Sequence, residues 1–231
     1  TSTPGAVVAT SLELHLTRDD TYAFEGINQG GTTIYMPSSF CDWGAGNAIN
    51  AAFAIQNISE TQEAQVTVNY SGGAVDGPHA IQPGAKRSFL GCTVNPFNWI
   101  GAATVTSTGG QVVAIGKIGG NDLSTAYVGF TQGYEKVACP YVRWTGEYEL
   151  GEKQQVNIAI QNVGTSTIAA GAVSAKNYNG SGTLLGTTTN PSDIPVGGKW
   201  STNASSVVTE FGYTNGGGAI ITGPSGSKLA V

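Results

Sequence analysis

One set of short strings occurs twice in this chain, and its phase limits what the chain can fold into. Gly110-Gln-Val-Val-Ala114, Gly129-Phe-Thr-Gln-Gly133 and Val137-Ala-Cys-Pro140 are echoed near the N-terminus by Gly5-Ala-Val-Val-Ala9, Gly26-Ile-Asn-Gln-Gly30 and Ile34-Tyr-Met-Pro37. Seven residues lead from Gly30 to Pro37, and seven from Gly133 to Pro140. The first thirty residues thus read as the tail of a repeat whose head does not precede them.

Two copies of the repeat follow. Ala51-Ala-Phe-Ala-Ile-Gln-Asn57 recurs as Val156-Asn-Ile-Ala-Ile-Gln-Asn162, and Ile81-Gln-Pro-Gly-Ala-Lys86 as Ile194-Pro-Val-Gly-Gly-Lys199. Gly218-Ala-Ile-Ile-Thr222 answers the strand after Gly101, and Leu229-Ala-Val231 answers Val112-Val-Ala114. Strands are expected at 51–57, 64–70, 87–90, 102–107, 112–116 and 127–130, with a hairpin about Gly109-Gly110. Short apolar runs, regular turn residues and no helical period predict an all-β chain of two tandem immunoglobulin-like β-sandwich domains. The expected boundaries are an arm over 1–21, a first domain over 22–133 and a second over 134–231.

Residues 6–18 alternate with a period of two, the signature of a strand with one buried face. Val8, Thr10, Leu12, Leu14 and Leu16 fall on one side, and Ser11, Glu13, His15 and Thr17 on the other. The second repeat stops where the first goes on to residues 115–133, and the N-terminus carries a spare copy of that piece. The pattern predicts a donor strand, led by those five residues, that completes the second domain of the next copy. Donor and acceptor lie on opposite ends, so the contact is heterologous and builds a head-to-tail homopolymer. The register stays open, because Val7-Val-Ala9 and Leu229-Ala-Val231 claim one strand position. A piece of a longer repeat array would show the same phase.

Composition narrows the function further. Charged residues make up 11% of the 231, Gly numbers 34 and the net charge is −5, which suits short strands and tight turns rather than charged helices. An acidic chain without a basic cluster argues against nucleic acid as partner. No apolar run reaches the roughly 18 residues of a membrane-spanning helix.

No nucleophile elbow, zinc-protease motif or phosphate loop occurs, so nothing points to an enzyme or a cofactor. His15 and His79 lie far apart, which disfavours a metal site. Asp19-Asp20 and Asn121-Asp122 read as solvated turns. Cys41 and Cys92, both in the first repeat, are a candidate disulfide; Cys139 stands where the first repeat has Met36 and is expected to be a buried thiol. Asn57, Asn69, Asn179 and Asn203 head Asn-x-Ser sequons, candidate glycosylation sites. Trp43, Trp99, Trp144 and Trp200 read as core plugs; as sugar platforms they would make the chain an adhesin or glycan-binding module with surface glycans as partners.

Tyr35-Met-Pro37, Trp43, Ala54-Ile-Gln-Asn57, Gln82-Pro-Gly84, Phe97-Asn-Trp-Ile-Gly-Ala102, Val112-Val-Ala-Ile115 and Ala126-Tyr-Val-Gly-Phe130 together resemble repeat modules of secreted cell-surface proteins of Chloroflexota-type filamentous bacteria. The resemblance spans about residues 22–231 and implies an extracellular or cell-surface β-sandwich protein. Head-to-tail strand exchange is similar to the assembly of pilus-like filaments.

Overall fold

The computed structural model describes residues 9–14, 21–120, 123–144, 155–207 and 216–231. Among them the chain is all-β, with antiparallel sheets and no α-helix. It divides into two compact units between Thr131 and Gln132.

An N-terminal pair, β1 (Thr10–Leu14) and β2 (Thr21–Glu25), precedes the first unit's two sheets. These are built from β3 (Thr33–Cys41), β4 (Asn50–Asn57), β5 (Ala64–Tyr70), β6 (Val75–Ile81), β7 (Lys86–Leu90), β8 (Trp99–Gly109), β9 (Val112–Gly120) and β10 (Leu123–Val128). One sheet runs β3-β8-β5-β6 and the other β10-β9-β4-β7. Inward residues alternate with outward ones, as in Val66 and Val68 of β5 or Phe53 and Ile55 of β4. The inward side chains of both sheets form one core, in which Met36, Phe53, Val66, Phe89 and Val105 meet.

The second unit has β11 (Lys136–Val142), β12 (Ile158–Asn162), β13 (Ser174–Asn179), β14 (Leu184–Thr189), β15 (Lys199–Thr202), β16 (Gly217–Thr222) and β17 (Leu229–Ala230). Its sheets run β11-β16-β13-β14 and β15-β12-β17. Strand for strand this is the order of the first unit, with β17 in the place of β9 and no described strand in the place of β10.

A buried asparagine anchors the same turn in each unit. The Asn57 amide donates to Gln62 O at 2.7 Å and Ile81 O at 2.9 Å and accepts from Ser59 N. Asn162 donates to Ser166 O and Ile194 O, both at 2.9 Å, and accepts from Gly164 N. Both side chains are buried, so each recurrent asparagine is a satisfied polar lock on loops that lack a ladder of their own.

Two expectations need correction. The hairpin about Gly109-Gly110 does not form: β8 and β9 belong to different sheets, and the chain crosses between them there. Gly109, at φ 90°, makes the crossing close against Glu63, whose carbonyl O lies 2.2 Å from where a Cβ would stand. The strand expected over 102–107 is longer, since β8 spans Trp99–Gly109. Strands β3 and β11 run through Pro37 and Pro140, which mark breaks to the eye. Both are edge strands whose register shifts at the proline, where no ladder N–H is required.

Alanine at Asn57 or Asn162 strands one buried and one part-buried carbonyl, and each variant should lose about 2–4 kcal/mol in urea unfolding; a loss below about 1 kcal/mol would show the lock to be dispensable. Burial lowers the Lys199 ammonium pKa to about 8. Between that value and the unfolded lysine's about 10.4 the unfolded chain holds the extra proton, so this group makes stability rise with pH across that window. Stability measured at pH 8 and 10 should show a smaller rise in Lys199→Met than in the wild type.

Candidate functional site

The pair β1–β2 copies the pair β9–β10 residue by residue. In the first unit Ile115 lies opposite Val128, Gly116 opposite Tyr127, Lys117 opposite Ala126, Ile118 opposite Thr125 and Gly119 opposite Ser124. In the arm Thr10 lies opposite Glu25, Ser11 opposite Phe24, Leu12 opposite Ala23, Glu13 opposite Tyr22 and Leu14 opposite Thr21. The closing bond is also shared: Gly129 N–H donates to Ala114 O at 2.9 Å, and Gly26 N–H to Ala9 O at 2.7 Å. Thr21-Tyr-Ala-Phe-Glu-Gly26 and Ser124-Thr-Ala-Tyr-Val-Gly129 carry the same small–x–Ala–aromatic–x–Gly pattern, a signal in the sequence that the alternation of residues 6–18 obscured. The arm is thus a hairpin, not one long strand.

In the first unit this hairpin closes the gap between the sheets. Tyr127 packs on the core, and its hydroxyl donates to Ser38 O. Gly129 has no room for a side chain: a Cβ would stand 2.4 Å from Ile34 Cγ2 and 2.7 Å from Met36 Sδ. Phe130 then pairs with β3 through Tyr35 N–H to Phe130 O at 2.7 Å and Phe130 N–H to Tyr35 O at 3.0 Å. Ile34 and Met36 end up 1% and 0% exposed.

Among the described residues no hairpin covers the matching flank of the second unit. There Val137 and Cys139, the counterparts of Ile34 and Met36, are part-exposed, and so is Val156, although Cys139 and Val156 touch the core. β9 pairs with β4 along all of Asn50–Asn57, whereas β17 meets β12 only at Gln161 and Asn162. Ile158, Ala159 and Ile160 have no ladder partner on that side among the described residues, and an open apolar edge of this kind is a template for another strand. Cys139 is therefore less covered than its match to Met36 implies; the partial burial it does have raises its thiol pKa.

The arm itself rests on the outward face of its own first unit. Lys117 Nζ lies 2.7 Å from each Glu13 carboxylate oxygen and 4.3 Å from the Tyr22 ring centre. Thr21 N–H donates to Ser124 Oγ, which donates in turn to Thr21 O. Of the expected donor residues, Thr10, Leu12 and Leu14 lie on β1, with Leu12 60% and Leu14 59% exposed; Val8 and Leu16 fall outside the described residues. By the shared register Leu12 and Leu14 match Lys117 and Gly119, which point away from the core. The side carrying Ser11, Glu13, Tyr22 and Phe24 matches the core-facing one, with Glu13 at the place of Ile118.

Cys41 and Cys92 form a disulfide that ties the end of β3 to the turn after β7. They stand 51 residues apart, a closure worth about 4 kcal/mol on the chain-entropy scale. Among the described residues the one trio with metal-ligand atoms in reach is Cys41, Asp42 and Cys92, and both sulfurs are spent in the disulfide. Asp19, Asp20, Asn121 and Asp122 lie outside the described residues.

Asn57 is corrected as a sugar acceptor, since its buried amide is the lock described above. Asn69 is exposed. Asn179 is half-buried and accepts from Ser181 and Thr183 N–H. Asn203 is half-buried, bonded to Asn157 and capping Ser205. Each of the four tryptophans is half-buried; Trp99, Trp144 and Trp200 pack on a core and Trp43 against Phe40.

No protein family, curated relative or solved structure matches this chain.

An exposed ion pair is worth about 0–1 kcal/mol. Lys117→Ala should therefore speed proteolytic clipping within residues 10–25 severalfold and leave the unfolding free energy of the remainder within about 1 kcal/mol. An unchanged clipping rate would show that Lys117 does not hold the arm.

Proposed function

We propose that this chain is a structural subunit of an extracellular filament, built of two immunoglobulin-like sandwiches, whose N-terminal hairpin completes the second sandwich of another copy. The register shared by β1–β2 and β9–β10 carries the reading, because it makes the arm a part of the shape that the open flank lacks. Pairing across the flank supplies backbone partners for Ile158 and Ala159 and covers Val137, Cys139 and Val156. Burying apolar surface at about 25 cal/mol per Å² favours such a joint over one exposed ion pair and a few hydroxyl bonds. A joint between two different surfaces of one chain propagates as an open filament. The Cys41–Cys92 disulfide supports an oxidising, extracellular setting.

Light scattering and electron microscopy test the reading. The full chain should polymerise as concentration rises, and a chain lacking residues 1–25 should stay monomeric. Polymers of unchanged length from the truncated chain, or a monomer at every concentration from the full one, would sink it. The side that faces the groove is testable too: Phe24→Asp should raise the critical concentration at least tenfold, and Leu14→Asp should change it by less than threefold. The reverse order would put the leucine face inward, as the alternation alone suggests.

A further inference from the structure

Resting on that reading, we infer that the joint between copies repeats the closing contact of the first unit in one register: Ile27 of the incoming arm pairs with Ala138 of the acceptor copy, Gly26 sits on its Val137 and Cys139, and Thr10 begins the ladder opposite its Ala159.

The second unit shows the register on its own residues. Leu229 lies opposite Asn162 and Ala230 opposite Gln161, as Val112 lies opposite Asn57 and Val113 opposite Gln56. Tyr134 and Leu229 exchange two backbone bonds of 2.9 Å, as Gly31 and Val112 exchange two of 3.0 Å. Val231 then holds the place of Ala114, and the next place, that of Ile115 opposite Ala54, falls opposite Ala159. Ile115 corresponds to Thr10 in the arm. Ala9 and Val231 correspond to the same position, that of Ala114, and Thr10 to the one after it. Ser11 follows opposite Ile158, and Phe24, its cross-strand neighbour, takes the place of Tyr127.

The residues after the hairpin complete the match. Gly26-Ile27 corresponds to Gly129-Phe130, and Phe130 exchanges two backbone bonds with Tyr35 of β3. Ala138 is the residue of β11 equivalent to Tyr35. It is exposed, on an edge strand, with Ile220 as its ladder partner on the other side. Gly26 would then meet Val137 and Cys139 as Gly129 meets Ile34 and Met36, where no side chain fits. The peptide from Gly26 to Gly31 has the length of that from Gly129 to Tyr134, so the arm reaches from one unit to the next over the span that the chain itself uses.

A cysteine pair reads this register. Residues that exchange both backbone bonds in an antiparallel pair lie about 5.5 Å apart at Cα, within disulfide reach, and a partner two places along lies at about 7–8 Å, at or beyond its limit. In a Cys139→Ser background, I27C/A138C should give a ladder of dimers and higher oligomers on non-reducing gels after mild oxidation. I27C/K136C should give less than a tenth as much. Ile27 is half-buried and Ala138 exposed, so neither change removes a core residue. Polymers by light scattering with no ladder, or with the stronger ladder from I27C/K136C, would overturn the register and leave the filament standing. A crosslink confined to single chains would place the arm on its own second unit and overturn the joint. The absence of polymers from the wild-type chain would overturn both.

Discussion

In the first unit the gap between the two packed sheets is closed at a point too tight for a side chain. The residue there is Gly129, pressed against Ile34 and Met36 with no space for a Cβ. Tyr127 arrives with it on one side and Phe130 on the other, and the bonds of Phe130 to Tyr35 stitch the closing hairpin to the edge of the opposite sheet. Met36 is sealed by this contact and Cys139, at the same place in the second unit, is not. The contrast between two copies of one design separates what the hairpin does from what the rest of the sheets do.

The arm has two places to rest, and their energetics differ in kind. On its own first unit it is held by an exposed ion pair, a cation–π contact and hydroxyl bonds, each worth about 1 kcal/mol or less. The open flank offers unpaired backbone and part-exposed core, where both apolar area and ladder bonds are gained. On the first unit Phe24 and Ile27 are also half-buried, and in the proposed filament the open flank is the stronger site because it adds ladder bonds. The face that contacts Lys117 in the resting state is also the face that register assigns to the groove.

Much of this was legible in the residues. The alternation of β4 and β5, the recurrent Gln-Asn before each turn and the Cys41–Cys92 pairing follow from period, repeat and spacing. The duplicated glycines marked the arm as a repeat tail. Strand topology was less legible: β8 and β9 read as a hairpin because two strands flank Gly109-Gly110, and nothing local says that the chain changes sheets there. Pro37 and Pro140 lie inside two edge strands, where proline is tolerated because the ladder bond is absent. For the arm the two signals differ: the alternation of Leu12 and Leu14 suggests one inward face, and the register shared with β9–β10 favours the other. Alternation shows that a strand has two faces and leaves open which one meets a core; cross-strand neighbours such as Ser11 and Phe24 decide that.

The arm belongs to the first unit and the open flank to the second, and this separation gives the proposed polymer a direction. One end presents a free hairpin and the other a bare sheet edge, two surfaces with nothing in common. A cell could anchor the fibre with a protein bearing only the hairpin, or stop its growth with one bearing only the edge. Neither kind of partner would interfere with the opposite end.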